Sequence, residues 1–566
     1  MSLPTTSSPI PSLRARVRDE VARAWTAAVE AGELPPAPEG AAPPVEVERP
    51  ADPDHGDLAT NLALKLARPL RRPPLEIARV LAARLESGRD DPAHGSPIDR
   101  VDVAPPGFVN LRLSEPALEA MVAAVLADPS GWGRVGTSGR RIDVEFVSAN
   151  PTGPLHVGNA RGAFVGDLLS RVLEAGGHEV TREYYFNDFG TQVRHLGASV
   201  LAVRDGEPIP EDGYHGDYVA DLADALPPDV EAAAAAEGAD QAWVVGVWAS
   251  EQVRAGIEAS LAHLGVRFDV WTSEGSLHRD GWVDRAIERL RAGGHLYELD
   301  GALWFRSTAF GDDKDRVVLR SNGEPTYFAA DIGYLLEKFS RGFDELIYIW
   351  GADHHGTVAR VRNAAEAMGF DKERVRMLLT AWVRFVRDGQ EITMSKRAGT
   401  FITLDELLDE IGVDAARWFF ASRAPTSGID LDIELATRQS SENPVYYVQY
   451  AHARIASILR KAAAAGLRPA TTIDGLLAEA PDAALAREVL RLPEVVEEAA
   501  AAEETHGITT YATELATRFH AYYRDARVIV PDQPDRSARR LALCQATQRS
   551  LAAALELLGI SAPASM

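Results

Sequence analysis

Cysteine is almost absent from this chain of 566 residues, where Cys544 stands alone. A single cysteine excludes an internal disulfide framework and any zinc site built from several thiolates, and it is typical of a reducing cytosol. No apolar run approaches the roughly 18–20 residues of a membrane-spanning helix. The N-terminal segment also lacks the apolar core of a secretory signal. These absences predict a cytoplasmic protein that does not enter a membrane.

Lysine is also scarce, at six of the 59 basic residues, and the formal net charge is −24. Such a charge argues against a general nucleic-acid binder, although local basic faces can still bind nucleic acid. Residues 61–85 carry six basic side chains against one acid, and residues 518–540 carry six against three. Both stretches are candidate contacts for nucleic acid, and solvated helix faces are the plain alternative.

The residue pattern divides the chain into three predicted units. Residues 1–128 mix helices with short strands. Residues 138–425 contain a strand–helix–strand unit, which predicts a parallel sheet, and a helical insertion near residues 200–270. Residues 434–566 have a helical pattern throughout. The elements predicted for the first two units are a helix at 12–33, two helices within 57–86, strands at 99–104 and 108–113, strand 141–148, helix 159–177, strand 179–186, and strands at 303–307 and 345–350.

The loop NPTGPLHVGNARGA, residues 150–163, follows the first strand of the predicted parallel sheet. Its prolines and glycines bring His156 and Gly158 to a helix start outside the carboxyl end of that strand, where doubly wound sheets bind ligands. Gly158 lets a nucleotide approach the backbone, the helix N-terminus offers N–H groups to an anion, and His156 can donate to a phosphate. A strand-to-helix turn without a ligand is the alternative.

A second motif, EITMSKRAGTF at residues 391–401, is a short basic loop. Such a loop can close Lys396 onto a leaving pyrophosphate, where negative charge builds in the transition state. The alternative is an exposed basic turn. The scarcity of lysine weighs against that alternative, because arginine would serve a surface turn equally well.

Together the two motifs resemble the signatures of class I aminoacyl-tRNA synthetases: HVGN at 156–159 is similar to HIGH, and MSKR at 394–397 to KMSKS. More of the chain resembles the arginyl-tRNA synthetase family than any other. The segments that carry this resemblance are VEFVSANPTGPLHVG, YYFNDFGTQV, PTYFAADIGYLLEKF, YIWGADHHG, NPVYYVQYAHARI and the C-terminal GISAPASM, with DHGDLATNLALKLAR and PPGFVNLRL similar to the family's additional N-terminal domain.

The resemblance implies an α/β protein. Its parts are a class I Rossmann-type parallel-sheet catalytic domain, an α+β N-terminal domain that binds tRNA, and an all-α C-terminal anticodon-binding bundle. It implies ATP-dependent ligation of L-arginine to tRNA(Arg) through arginyl-adenylate, with release of AMP and pyrophosphate. ATP is then a substrate, Mg²⁺ accompanies the nucleotide, no zinc is expected, and the chain is expected to be a monomer. Arginine activation that itself requires tRNA is a further implication.

The same resemblance implies the site residues. Carboxylates suit the guanidinium and ammonium groups of arginine, since both are cations that bind fixed anions. The arginine pocket falls on Glu145, Asn150, Tyr327, Asp331 and His354. The ATP contacts fall on His156, Gly158, Asn159, Asp353, Met394, Ser395, Lys396 and Arg397, of which His156, Asn159 and Lys396 are the predicted catalytic residues. The tRNA contacts fall on Phe108 and Asn110, where an aromatic and an amide suit a splayed-out base.

The chain departs from the family pattern at two places. Thr393 replaces the first lysine of the second signature, and the position before the first signature, where arginyl enzymes often carry a basic residue, belongs to Thr152-Gly153-Pro154. Lys396 is therefore expected to carry more of the pyrophosphate charge. Asn159 replaces the last histidine of the first signature and remains a good helix N-cap residue.

Three other functions remain open from the sequence. They are a class I synthetase for another amino acid, a nucleotidyltransferase with a similar first loop, and a non-catalytic RNA-binding relative. The single cysteine disfavours the zinc-containing cysteinyl enzyme, and the helical C-terminal region disfavours the nucleotidyltransferase. Intact Glu145, His156, Asp331 and Lys396 disfavour the non-catalytic relative.

Overall fold

The computed structural model describes residues 9–89, 96–136, 139–352, 355–392 and 403–566. Its N-terminal region packs helices against a three-stranded antiparallel sheet of order β1-β3-β2. The elements are α1 (Leu13–Glu30), β1 (Leu58–Thr60), α2 (Leu62–Leu70), α3 (Pro74–Arg89), β2 (Ile98–Ala104), β3 (Phe108–Leu113) and α4 (Glu115–Ala127).

The break between α2 and α3 lies where the Pro73-Pro74 pair predicts it. Arg71 ends α2 in the left-handed conformation, with a φ of 51°, and proline cannot continue a helix interior. Residues 58–60, which the helical pattern of 57–86 included, instead form β1, because Leu58 and Thr60 bury their side chains beside β3.

A five-stranded, wholly parallel sheet of order β11-β10-β4-β5-β6 forms the centre of the molecule. Its elements are β4 (Arg141–Phe146), α5 (Val157–Ala175), β5 (Glu179–Phe186), α6 (Thr191–Asp205), α7 (Asp217–Asp224), α8 (Pro228–Ala234), α9 (Gln241–His263), β6 (Val270–Ser273), α10 (Glu274–Arg279), α11 (Trp282–Ala292), α12 (Tyr327–Ser340), β10 (Glu345–Gly351), α13 (His355–Ala367) and β11 (Val375–Thr380).

Two small three-stranded sheets accompany the central one, with orders β7-β8-β9 and β13-β12-β14. Their strands and the neighbouring helices are β7 (Leu296–Leu299), β8 (Ala302–Phe305), β9 (Arg316–Leu319), β12 (Val383–Arg387), β13 (Gln390–Glu391), α14 (Leu404–Ile411), α15 (Val413–Ala421), β14 (Ile429–Asp432) and α16 (Ile433–Thr437).

The C-terminal region is helical, as its sequence pattern predicts. Its helices are α17 (Pro444–Ala464), α18 (Ala480–Val489), α19 (Leu492–Ala502), α20 (His506–Asp525) and α21 (Pro534–Leu557). The N-terminal region docks on this bundle through ion pairs in which one partner is buried and the other is partly exposed: Arg14 contacts Glu497 at 2.9 Å, and Arg49 contacts Glu494 at 2.7 Å. Within the described part of the chain, no helix combines the length and apolar character needed to cross a bilayer.

The central sheet separates two hydrophobic clusters. In β10, Ile347 and Ile349 join the cluster that contains α5, whereas Leu346 and Tyr348 join the cluster that contains α12. The alternation follows from the two-residue period of a strand. Both faces of the sheet are therefore covered, which is the usual arrangement of parallel sheets.

Candidate active site

The candidate site lies at the carboxyl ends of β4 and β10, which are neighbours in the sheet. From β4 the chain passes through α5 to β5 on one side, and from β10 it passes through α13 to β11 on the other. The two connections leave a crevice between them, because they diverge from adjacent strands. Both α5 and α13 begin at this edge.

A strained bend ends β4 at this edge. Val147 and Ser148 have φ angles of 67° and 41°, a left-handed conformation that is rare outside glycine and disfavoured for a β-branched residue. The bend stops the strand predicted over 141–148 two residues early and turns Ser148 Oγ back to donate to Glu145 Oε1 at 3.1 Å. Tyr185 N donates to the same Oγ at 3.2 Å. Such strain persists where surrounding contacts fix it, and it is frequent at functional sites.

The first signature loop forms the N-terminus of α5. His156 is the N-cap residue: Gly158 N donates to His156 Nδ1 at 3.0 Å, and His156 N donates to Asn159 Oδ1 at 3.2 Å. This is a capping box in which His156 and Asn159 take the usual places of serine and glutamate. A Cβ on Gly158 would lie 2.8 Å from His156 Nδ1, so glycine leaves room for the imidazole against the helix start.

The chain after the second signature returns to this loop. His156 pairs with Thr403 in an isolated antiparallel bridge, and Leu404 N donates to the Leu155 carbonyl at 3.2 Å. Asp353, His354, Met394, Ser395, Lys396 and Arg397, which the sequence assigns to ATP and arginine, lie outside the described residues. Their flanking residues stand at the crevice: β10 leads into the first pair, and Thr403 follows the second group.

The helical insertion also contacts the first signature loop. Tyr218 in α7 donates its hydroxyl to the Thr152 carbonyl at 2.8 Å. A Cβ on Gly153 would lie 3.3 Å from the same hydroxyl, so the tyrosine packs closely on the loop. The sequence pattern did not reveal this contact, because Tyr218 lies 66 residues from its partner.

Asp331 is a carboxylate without a counterion contact. It lies one turn after Tyr327 on α12, as their spacing predicts, and Tyr327 is 62% exposed at the helix start. Among the described residues, the Asp331 carboxylate accepts no hydrogen bond and forms no ion pair. Burial, together with the carboxylates of Glu274 and Glu145, raises the pKa of Asp331 to about 7, against the guanidinium of Arg360. Such an environment favours a cation.

Glu274 is a site candidate that the sequence reasoning missed. It is buried in the first turn of α10, directly after β6, and its Oε2 accepts from the Tyr185 hydroxyl at 2.6 Å. Burial raises its pKa. The signal available in the sequence was an acid immediately after the strand-like VWTS, at the sheet edge where β4 also ends.

Asn150 contacts the loop that follows β5. Its Nδ2 donates to Gln192 Oε1 at 2.8 Å, and its Oδ1 accepts from Asn187 N at 3.4 Å. Gln192 and Asn187 both belong to the segment YYFNDFGTQV. The structure therefore brings this segment to the first signature loop.

The side of β4 that faces α12 carries buried charges. Asp143 and Glu145 share Lys338, whose Nζ donates to Asp143 Oδ1 at 3.0 Å and to Glu145 Oε2 at 2.7 Å. Against the effect of burial, these carboxylates raise the pKa of Lys338, which keeps it charged. Burial raises the pKa of Asp143 even though Lys338 opposes the shift. Lys338 was also missed from the sequence, where the scarcity of lysine was its only signal.

In the N-terminal region, Phe108 and Asn110 lie on the outer face of β3, with Phe108 38% exposed. A Cβ on Gly107 would lie 2.8 Å from the Pro74 side chain, so the hairpin end packs against the start of α3 and its basic neighbours. Four arginines of the 61–85 stretch are exposed and have no ion-pair partner among the described residues: Arg68, Arg71, Arg72 and Arg79.

In the C-terminal region, several arginines of the 518–540 stretch serve the fold. Arg540 is 4% exposed and contacts Glu479 and Asp482, so it cannot contact a partner, and Arg536 also contacts Glu479. An aromatic surface lies nearby on α17 and α20. Its members are Tyr446, which stacks on Tyr450, and Arg454, which lies over the rings of Tyr450 and Tyr523.

Sequence models of three protein families match the chain. Residues 12–113 match the arginyl tRNA synthetase N terminal domain, and residues 121–209 and 240–425 match the catalytic domain of class I tRNA synthetases of the arginine type. Residues 448–566 match the DALR anticodon binding domain. Tyr218 lies between the two matched parts of the catalytic domain.

Whole proteins of this family are similar over nearly their full length. The arginine–tRNA ligase of Citrifermentans bemidjiense is 44% identical over 93% of this chain and 96% of its own. That of Moorella thermoacetica is 45% identical over 93% and 94%. The solved structure of Thermus thermophilus arginyl-tRNA synthetase superposes with a TM-score of 0.76 at 25% identity, covering 98% of this chain and 100% of its own. With this identity over almost the whole chain, the protein belongs to the arginine–tRNA ligase family of class I aminoacyl-tRNA synthetases.

Proposed function

We propose that this protein ligates L-arginine to tRNA(Arg) in an ATP-dependent reaction that passes through arginyl-adenylate and releases AMP and pyrophosphate. The observation that carries the proposal is the pairing of two sites at one sheet edge. Asp331, with Glu145 and Glu274 nearby, makes a cation site, and the N-terminus of α5 behind His156 makes an anion site. Arginine activation needs both the cation site and the anion site, because the enzyme must bind a cationic amino acid next to the triphosphate of ATP.

The arginine site comprises Glu145, Asn150, Tyr327, Asp331 and His354, to which we add Glu274. The half-buried Asp331 supports this assignment, because an ion pair with a guanidinium would relieve the repulsion among its neighbouring carboxylates. Tyr327 is exposed one turn away and can close over the bound side chain. Asn150, held by Gln192, lies where the amino or carboxylate group of the substrate would reach it.

The ATP site comprises His156, Gly158, Asn159, Asp353, Met394, Ser395, Lys396 and Arg397. The capping box supports this assignment, because it holds the imidazole beside the helix N-terminus, where the N–H groups of α5 favour phosphate. Among the described residues, His, Cys, Asp and Glu side chains form no group of three or more suited to a metal ion. We propose that Mg²⁺ enters with the nucleotide, held mainly by its phosphate oxygens.

The reaction requires no protein nucleophile. The arginine carboxylate attacks the α-phosphorus of ATP in line, which forms the adenylate and expels pyrophosphate. The 2′-hydroxyl of the terminal tRNA ribose then attacks the arginyl carbonyl and expels AMP. His156, Asn159 and Lys396 act by stabilising charge on the phosphates, and the pocket acts by orientation.

We assign tRNA binding, catalysis and anticodon binding to three different parts of the chain. Residues 1–128 would bind tRNA through Phe108, Asn110 and the exposed arginines beside them, residues 138–425 would perform catalysis, and residues 434–566 would bind the anticodon. The aromatic surface of α17 and α20 suits unpaired bases, which stack on aromatic rings. We propose that the protein acts as a monomer in the cytoplasm, where its single, buried cysteine stays reduced.

Arginine-dependent exchange of pyrophosphate into ATP tests the proposal. The assay is run with and without tRNA(Arg), with lysine, glutamine and cysteine as control amino acids. Exchange that requires arginine and tRNA together supports the function and the tRNA-dependent activation. Exchange with arginine alone retains the function and contradicts that dependence. Absence of exchange with every amino acid, while tRNA still binds, would overturn the catalytic proposal.

A further inference from the structure

The buried ammonium of Lys338 lies in a closed cage beneath the proposed arginine site. Its side chain is 0% exposed. Glu145 Oε2 and Asp143 Oδ1 accept its hydrogen bonds, and the rings of Tyr334 and Tyr348 lie 4.5 and 4.2 Å from Nζ. Two carboxylates and two aromatic faces thus surround one point charge, an arrangement suited to an ammonium.

The choice of lysine here runs against the composition of the chain, which has only six lysines among its 59 basic residues. A planar guanidinium carries its donors in a wide fork, whereas an ammonium is compact and fits between two converging oxygens. Arg341, the C-cap residue of α12, contacts Glu183 at 2.6 Å, Glu337 at 3.0 Å and, at the longer distance of 3.9 Å, Asp143. Among the described cations, Lys338 is the one in contact with Glu145.

Glu145 needs such a partner because of its place in the sheet. It lies directly opposite Glu183 in the parallel pairing of β4 with β5, and like charges in that position repel. On its other side it lies opposite Tyr348. Lys338 holds Oε2 at 2.7 Å and Ser148 holds Oε1 at 3.1 Å, so both oxygens are anchored and the plane of the carboxylate is set.

We propose that Lys338 is a positioning residue for substrate arginine: it fixes the Glu145 carboxylate so that the free lone pairs of that carboxylate meet a cationic group of the amino acid at the end of β4. Lys338 itself is enclosed and does not touch the substrate. The inference rests on the proposed assignment of Glu145 to the arginine site. It predicts that loss of Lys338 weakens arginine binding and leaves ATP binding unchanged.

The test compares Lys338→Met with the matched control Arg341→Met in tRNA aminoacylation. Both variants remove one cation from the C-terminal end of α12, Lys338 fully buried and Arg341 23% exposed at the C-cap, and only the first contacts Glu145. We expect Lys338→Met to raise KM for arginine about tenfold or more, the loss expected for a hydrogen bond between charged groups, with KM for ATP unchanged. Arg341→Met should keep KM for arginine within about twofold of wild type. Thermal unfolding measures the structural damage in each.

Equal loss of stability in both variants, with KM for arginine unchanged in each, would show that Lys338 has a structural role only and would overturn the inference. If Lys338→Met does not fold, Ser148→Ala decides, because it removes the other anchor of Glu145 without burying an unpaired charge. A rise in KM for arginine supports positioning of the carboxylate, and an unchanged KM overturns it.

Glu145→Gln separates this inference from the proposed site. If Glu145→Gln leaves KM for arginine unchanged, the assignment of Glu145 is wrong and the inference fails with it. If Glu145→Gln raises KM for arginine and neither Lys338→Met nor Ser148→Ala does, the site assignment stands and the positioning role alone is overturned.

Discussion

One face of β4 packs Ile142, Val144 and Phe146 among apolar side chains beside α5, whereas the opposite face buries Asp143 and Glu145 beneath α12. The two faces belong to one six-residue strand and differ only in which alternate positions they use. The apolar face depends on close steric fit, since a Cβ on Gly166 of α5 would lie 2.1 Å from the Phe146 ring. The charged face needs counterions, which Lys338 supplies.

The difference indicates that the two faces of β4 have different roles, one in stability and the other in binding. Apolar packing stabilises the fold through area and close contact. Buried ion pairs contribute little net stability, because desolvation opposes their attraction. Glu145, which the proposed arginine site includes, is therefore better explained by binding than by folding. Substitutions on the apolar face should change the free energy of unfolding, and substitutions that remove an anchor of Glu145 should change arginine binding.

The largest effect is expected on the apolar face. Phe146→Ala should lower the free energy of unfolding by about 3–5 kcal/mol, because it leaves a cavity against α5 and Phe268. Denaturant unfolding measures this loss. The folded fraction should keep the wild-type KM for arginine. A large rise in that KM with little loss of stability would contradict the division between the faces.

A smaller effect is expected at Asp331, where substitution should weaken arginine binding and increase stability. Asp331→Asn should lower kcat/KM for arginine about 100-fold, as for truncation of one partner of a desolvated charge pair. The same variant should be more stable than wild type at pH 8. Because folding raises the pKa of Asp331 from an ordinary 3.8 to about 7, stability falls as pH rises between these two values, and the full loss is present at pH 8. Steady-state kinetics measure the loss of kcat/KM, and thermal unfolding at pH 8 measures the gain in stability. A variant that is less stable than wild type would contradict the repulsive environment described for the Asp331 carboxylate.

The pH dependence of arginine binding should be about tenfold. Asp331 must be ionised to attract a cation, and its pKa of about 7 leaves it mostly protonated at pH 6. The affinity of the free enzyme for arginine should therefore fall about tenfold from pH 8 to pH 6. Titration calorimetry with tRNA present measures it. The affinity of Asp331→Asn for arginine should change less with pH than that of the wild type. An equal change in the two proteins would show that another group causes the pH dependence.

The smallest effect is expected at Tyr218, which contacts the first signature loop. Tyr218→Phe removes one hydrogen bond to the Thr152 carbonyl and should raise KM for ATP about two- to fivefold, the value for one neutral hydrogen bond. KM for arginine should not change. Kinetics at varied ATP test the prediction, and a change in KM for arginine instead would place Tyr218 on the amino-acid side of the crevice.

Much of the fold follows from local sequence. The alternating pattern of β4, the glycine and proline residues at element ends and the helical pattern beyond residue 434 predict their elements, because each is a local property. The short strand β1 was not predictable, since Leu58–Thr60 is held by pairing with a strand some 50 residues away. The early end of β4 was also hidden, because Val147 and Ser148 adopt φ angles that their side chains disfavour.

The site was predictable where a motif exists and not where contacts are long-range. The helical spacing of Tyr327 and Asp331 is local and is present in the structure. The N-cap expected at Asn159 is instead His156, because α5 begins at Val157 and places Asn159 at the third helical position. Glu274 and Lys338 come to the site only through the tertiary fold, which neither spacing nor composition reveals. A buried lysine in an arginine-rich chain was the one compositional sign of such a position.

The ion pairs that dock the N-terminal region on α19 have a consequence for how tRNA affinity should respond to ionic strength. The Arg14 and Glu494 side chains in that interface are 9% and 3% exposed, and enclosed charges are screened little by salt. Contacts between exposed arginines and phosphates release counterions and weaken steeply as salt rises. The slope of the logarithm of tRNA affinity against the logarithm of salt concentration should therefore report the number of phosphate contacts. Separation of the N-terminal region from α19 should contribute little to that slope.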